Sequence, residues 1–281
     1  MKCKLVDVFA KEKLSGNGLT IFYDFAELST ERMQLLTQEM RQFESIFVSK
    51  ESNEFSARIF TVEEELDFAG HPLIGLAAHL HEEFGQNESH TWHVKLNTKT
   101  VTLKTNKLDN YFEAAMEQGK PEFIKTLTRT ESQVFLDAFN LPRNDMSDYP
   151  LEVISTGLPY LIIPIKNGIE KASITIDNLE ALLEVHQAKF AYILGVNTFE
   201  GRTWDNLGKV EDIAIGSAAG PAGAYLCKHN LVNSAETFVI NQGRFLGRPS
   251  EIKVCVEGDK NEINNVRVSG QVCKVANIDF V

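Results

Sequence analysis

Apolar residues recur along this chain with two periods, and the changes of period mark out its elements. Residues 4–9 and 19–23 are short apolar runs flanking Ser15-Gly16-Asn17-Gly18. Asn-Gly between two such runs predicts a turn, because both residues tolerate positive φ. Beyond Ser29 and Thr30, either able to cap a helix, Met33, Leu36 and Met40 fall at i, i+3 and i+7. That spacing predicts a helix ending near Gln42. Residues 43–48 and 57–62 read as extended, and Glu63-Glu64-Glu65 as a solvated bend. Pro72 then suits the first turn of a helix over 72–84. Leu73, Ile74, Leu76, Ala77, Ala78, Leu80 and Phe84 leave that helix apolar on nearly every face, so it should be buried all round.

The second part of the chain repeats the theme. Short β-rich segments at 93–96, 100–105 and 111–116 lead to Gly119-Lys120-Pro121, which reads as a linker. Beyond it the pattern predicts a helix over 131–139 and two strands within 151–165 about Gly157-Leu158-Pro159. A helix and a strand follow within 179–194. Residues 218–228 form another small-residue, apolar helix, and strands at 238–240, 251–256, 265–269 and 272–278 finish the chain. Gly70 precedes the first buried helix and Gly216 the second, 146 residues apart in a chain of 281. Each half thus holds a strand, a glycine turn and a helix too apolar to face water. Two similar halves facing one another would bring two helix N-termini to a shared cleft. A helix N-terminus offers free N–H groups and about half a positive charge, so a pair of them suits a carboxylate-bearing substrate.

Composition narrows the partners. Hydrophobic residues at 43% and charged residues at 24% are ordinary for a globular chain and exclude disorder, collagen-like repeats and coiled coil as the main architecture. The net charge of −11, with no basic tract, makes nucleic acid and anionic membranes poor partners. Cys3, Cys227, Cys255 and Cys273 show neither C-x-x-C nor zinc-ligand spacing, and the histidines show no metal spacing, so no metal is expected. The thiols read as small buried hydrophobes in a reducing cytosol. Asp7 arrives before a signal-peptide core can form, and no run approaches the ~18 apolar residues of a membrane span, so a cytoplasmic protein is expected. Trp92 and Trp204 read as packing residues, and Gly18, Gly157, Gly247 and Gly270 as turns.

Several ordered stretches carry a resemblance. They are Gly16-Asn17-Gly18-Leu19, Phe43-Glu44-Ser45-Ile46-Phe47-Val48, Arg58-Ile59-Phe60-Thr61 and Glu65-Leu66-Asp67-Phe68-Ala69-Gly70-His71-Pro72-Leu73-Ile74-Gly75. Ser155-Thr156-Gly157-Leu158-Pro159, Glu211-Asp212-Ile213-Ala214-Ile215-Gly216-Ser217-Ala218-Ala219-Gly220-Pro221 and Gln242-Gly243-Arg244-Phe245-Leu246-Gly247-Arg248-Pro249-Ser250 complete the set. In this order they resemble the PhzF-like (phenazine biosynthesis-like) family, with the diaminopimelate epimerase-like fold. The resemblance implies an α+β fold of two similar lobes, each a curved mixed sheet or barrel around a central buried helix, with the active site between them. It divides the chain into an N-terminal lobe over 1–118, to which the strand 270–281 returns, and a C-terminal lobe over 119–269.

The same resemblance implies function. Glu44 matches the family's proton-transferring glutamate. His71, Asp212 and Ser217 match residues around it, and Gly70 and Gly216 match backbone donors. Asn17 joins them as a substrate-binding candidate. A carbon acid beside an unsaturated system can lose a proton to one carboxylate held in a dry pocket, and the same carboxyl can return it elsewhere. The implied protein is an isomerase of a small carboxylate-bearing metabolite, working without a cofactor and compatible with a homodimer. Related epimerases place a cysteine before the glycine at each helix start; here Ala69 and Ile215 stand there, and neither carries a proton. Ile213 and Ile215 also replace the family's proline and threonine, which keeps a non-catalytic binding or regulatory protein open. So does a racemase or epimerase pairing Glu44 with Asp212. By pattern alone Glu44 is a solvated surface acid, Asp212 a turn acid, Ser217 an N-cap, and His71 a helix cap or core hydrogen-bonder.

Overall fold

The computed structural model describes residues 1–52, 54–109 and 111–280. The chain forms two compact units, one of Met1–Glu117, Arg248–Glu251 and Ser269–Val281, the other of Gln118–Gly247 and Ile252–Val268. Residues 248–251, placed by the sequence reading in the C-terminal lobe, thus group with the first unit. The final residue of the expected return strand, Val281, lies outside the described residues. Each unit is a strand-rich α+β body with a buried helix at its centre.

In unit 1 the strands are β1 (Lys2–Val8), β2 (Asn17–Tyr23), β3 (Glu44–Glu51), β4 (Glu54–Thr61), β5 (Glu65–Leu66), β6 (Ser89–Lys95), β7 (Thr100–Lys107) and, up to Glu117, β8 (Phe112–Gly119). The β1–β2, β3–β4, β6–β7 and β7–β8 pairs are antiparallel, while β2–β3 and β4–β6 are parallel. Helix α1 (Thr30–Met40) makes the parallel β2–β3 crossover and α2 (Gly70–Phe84) the β4–β6 one. The sheet curves around α2, which touches β1, β2, β3, β6 and β7. Every α2 residue from Gly70 to His81 is buried, as its all-round apolar pattern requires. Helix α1 covers the other face, packing Met33 and Leu36 on Phe22, Phe47 and Phe60. β3 is therefore buried on both faces over its first five residues.

Unit 2 holds β9 (Glu122–Thr126), α3 (Arg129–Ala138), β10 (Glu152–Ser155), β11 (Pro159–Ile165), α4 (Leu179–Glu184), β12 (Phe190–Gly195), β13 (Glu200–Arg202), α5 (Gly216–Lys228), β14 (Thr237–Gln242) and, from Ile252 on, β15 (Ser250–Gly258). The last strand, β16 (Ile263–Asp279), gives its residues up to Val268 to this unit and the rest to unit 1. There it pairs antiparallel with β1, Lys2↔Asp279 to Val8↔Val272. The core helix α5 is buried from Gly216 to Cys227 and touches β10, β11 and β12. The opposite face of those strands carries Leu161, Ile163 and Ile193, packed with Phe135 and Phe139 around α3 and Leu179 and Leu183 of α4.

Several expectations change. The positive φ of the first turn falls on Gly16 (φ 66), where a Cβ would lie 2.4 Å from the Val8 carbonyl; Asn17 and Gly18 already belong to β2. Gly270 is no turn. It lies inside β16, and a Cβ there would meet Phe9 Cδ1 at 2.3 Å, so glycine lets the strand close over that ring. The two strands expected over 265–278 are thus one. Glu65 leaves the solvated bend to form β5 and an ion pair with Arg58, with a further hydrogen bond from Asn97. The helix expected from Glu131 begins at Arg129, because Thr128 and Glu131 form a reciprocal capping box. Strands β9 and β13 were not expected; both are short and lack a clear alternating signal.

Candidate active site

Unit 1 brings Asn17, Glu44, Gly70 and His71 together through register. β2 and β3 run parallel with Leu19 opposite Glu44, so Asn17, Leu19 and Glu44 share one face. That face looks onto α2, since Leu19 abuts Gly75 of the helix. Glu44 opens β3 and is only 6% exposed, which overturns the surface-acid reading. His71, in the first turn of α2 and also buried, places Nδ1 2.7 Å from Glu44 Oε2. The imidazole therefore fixes the carboxylate at the helix N-terminus, rather than capping the helix or serving only the core.

Asn17 is held from behind. Arg248 donates to the Gly16 carbonyl at 2.7 Å, the Ser15 carbonyl at 3.0 Å and Asp7 Oδ1 at 2.7 Å. Asp7 also accepts the Leu14 N–H at 2.7 Å. Burial pushes the Asp7 carboxyl upward, and the Leu14 N–H and Arg248 only partly offset it. The latch explains why residues 248–251 fold with unit 1: the guanidinium bridges the loop and β1 just before Asn17.

In unit 2, Asp212, Gly216 and Ser217 gather at the start of α5. The Asp212 N–H donates to the Thr203 carbonyl at 3.0 Å, and its Oδ1 accepts the Ala214 N–H at 3.1 Å. Its carbonyl accepts Gln242 Nε2 at 2.9 Å, and Gln242 Oε1 accepts the Tyr192 hydroxyl at 3.1 Å. Ser217 is not an N-cap. The cap position is Ile215, and the Ser217 hydroxyl meets the Tyr160 hydroxyl at 2.9 Å. Gln118 Nε2 donates to the Gly216 carbonyl at 2.9 Å, and its Oε1 accepts Thr156 Oγ1 at 2.7 Å. Sequence reasoning missed Gln118, Tyr160, Tyr192 and Gln242 as site neighbours. Tyr160 and Gln242 did stand in or beside quoted stretches, but what they support lies far off in the chain.

The core helices α2 and α5 share an uncapped start, as α4 does behind Asn178. Helices α1 and α3 are capped by the side chains of Ser29 and Thr128. Helices α2 and α5 begin at Ala69 and Ile215, neither of which gives a side-chain cap, and neither first turn holds an acid. Both first turns are buried. A helix start of this kind is suited to receiving an acceptor group. Among the described residues no group of three or more His, Cys, Asp or Glu side chains could hold a metal ion, and no helix is long and apolar enough to cross a membrane.

Known proteins align with the chain end to end. The sequence profile of the family described as "Phenazine biosynthesis-like protein" matches residues 6–277. Trans-2,3-dihydro-3-hydroxyanthranilate isomerase of Pseudomonas aeruginosa is 34% identical, over 95% of this chain and 94% of the relative. An uncharacterized isomerase of Clostridium acetobutylicum is 29% identical, over 98% of this chain and 96% of the relative. Among solved structures, a predicted epimerase from Pseudomonas aeruginosa is 44% identical and superposes with a TM-score of 0.93, covering 100% of this chain and 99% of the other. With isomerases matched along nearly its whole length, the chain is an enzyme of the isomerase class and belongs to the phenazine biosynthesis-like protein family.

Proposed function

We propose that the chain isomerises a small carboxylate-bearing metabolite by proton transfer, without a cofactor, and that Glu44 carries the proton. The observation that supports this best is the buried Glu44–His71 pair, 2.7 Å apart, at the uncapped start of α2. The ionised Glu44 takes a proton from a carbon next to an unsaturated system. The electron pair left on that carbon spreads over the unsaturated system, and Glu44, now protonated, returns the proton to another carbon. No oxidant or reductant is consumed. His71 orients the carboxylate, while the N–H groups of Gly70 and His71, with those of Gly216 and Ser217, receive the substrate carboxylate and developing charge. Asn17 and the Ser217 hydroxyl bind substrate polar groups, and Asp212 completes the acid–base set. A thiol mechanism has no residues to use, because Ala69 and Ile215 stand at the cap positions.

The test is Glu44→Gln, which keeps the shape and removes the base. Trans-2,3-dihydro-3-hydroxyanthranilate, named for a relative, is the first substrate to try, followed by carboxylate metabolites found by thermal shift. Turnover should fall by roughly 10²–10⁴-fold, and solvent deuterium should no longer enter the product. A Glu44→Gln protein exchanging protons at the wild-type rate would refute the mechanism and favour a binding protein.

A further inference from the structure

Beneath the start of α5 lies a tyrosine that the proposed chemistry has not used. Tyr160 is fully buried on β11. Its ring packs on Phe190, with centroids 5.6 Å apart, and its hydroxyl lies 2.9 Å from Ser217 Oγ. Ser217 points to Tyr160, across 57 residues of sequence. Ser217 is itself 5% exposed, so its hydroxyl is held in a dry place where each hydrogen bond matters.

Either hydroxyl could donate in this bond, and acidity favours the phenol as donor. A phenol is a stronger acid than an aliphatic alcohol, so it is the better donor and the poorer acceptor. Tyr160 then donates to Ser217 Oγ. The serine oxygen accepts, and its own hydrogen is left to point onward. We propose that Tyr160 is a positioning residue: it fixes the Ser217 rotamer and turns the Ser217 O–H outward as a donor to a substrate oxygen. The inference rests on the substrate-binding role given to Ser217 above, and Tyr160 itself touches no substrate. Within unit 2 the support is paired. Tyr192 lies on the neighbouring strand and reaches Asp212 through Gln242, as Tyr160 reaches Ser217 directly.

Tyr160→Phe removes one oxygen and keeps the ring. Two measurements decide the matter. The first is a crystal structure of Tyr160→Phe without ligand. Ser217 Oγ should leave its position for another rotamer; an unchanged rotamer overturns the proposal. The second is a double-mutant cycle of Tyr160→Phe, Ser217→Ala and the pair, with trans-2,3-dihydro-3-hydroxyanthranilate as the probe. Tyr160→Phe alone should lower kcat/KM roughly 5–10-fold. In the Ser217→Ala background it should change kcat/KM by less than about twofold, because the group it acts through is gone. Effects that multiply would mean Tyr160 serves folding alone, and would overturn the proposal. Should the wild type not act on this compound, the substrate reading fails, while the crystal structure still decides the role of Tyr160. Thermal unfolding of each variant identifies any that does not fold, and Ser217→Ala tests the same contact from its other side.

Discussion

Lowering the pH from 7 to 5 should destabilise unit 1 through one side chain, His79. It sits midway along α2, 2% exposed, with its ring 4.6 Å from that of Tyr23. Burial above all, and the Lys4 ammonium next, push its pKa down to about 3, against an opposing pull from Glu82. Its Nδ1 has no hydrogen-bond partner among the described residues. In the unfolded chain the ring titrates near its ordinary value of about 6.5. Between those values the unfolded state binds a proton that the folded state refuses. Stability attributable to the neutral ring is therefore intact above about pH 6.5, falls as pH falls, and stops falling near the folded value. Integrated for one site, the loss from pH 7 to pH 5 is about 2 kcal/mol. That window lies above the ordinary carboxylate range, so the signal is not hidden by acids. Urea unfolding read by tryptophan fluorescence can isolate it: in a Trp204→Phe background, Trp92 reports on unit 1. The parent should lose about 2 kcal/mol more over this window than a His79→Leu variant, which has no ring to protonate. Parallel pH dependences, or a native His79 ring resonance titrating near its ordinary value, would refute the reasoning.

Gly270→Val should destabilise unit 1 by about 1–3 kcal/mol or more in urea, since its Cβ would stand 2.3 Å from Phe9 Cδ1 in a closed core; a midpoint shift within error would show that the strand relaxes. All four cysteines are buried, and burial pushes the Cys3 thiol up to about 12 and those of Cys227 and Cys273 upward. Ellman's reagent at pH 8 should therefore label the native protein slowly and all four thiols in urea, and fast labelling of one native thiol would count against this.

Local periodicity determined which segments are buried. The all-round apolar faces of α2 and α5 marked them as core helices before any coordinate, because a helix with no polar face has nowhere else to go. The capping box at Thr128, three residues before the expected start of α3, is equally local. Glu44 could be singled out only by the ordered motif around it, since a single acid at a helix–strand junction has no distinguishing period. The parallel register of β2 and β3 is what turns Glu44 toward α2 and sets it against His71, 27 residues on. Gly270 shows the same limit: glycine in a sequence signals a turn as readily as a close approach, and only the Phe9 ring across the sheet distinguishes them. Arg248 and Tyr160 lie further still from what they hold, 241 residues from Asp7 and 57 from Ser217. Such contacts are selected by tertiary packing and buried hydrogen-bond satisfaction, which act between segments and leave no repeat along the chain.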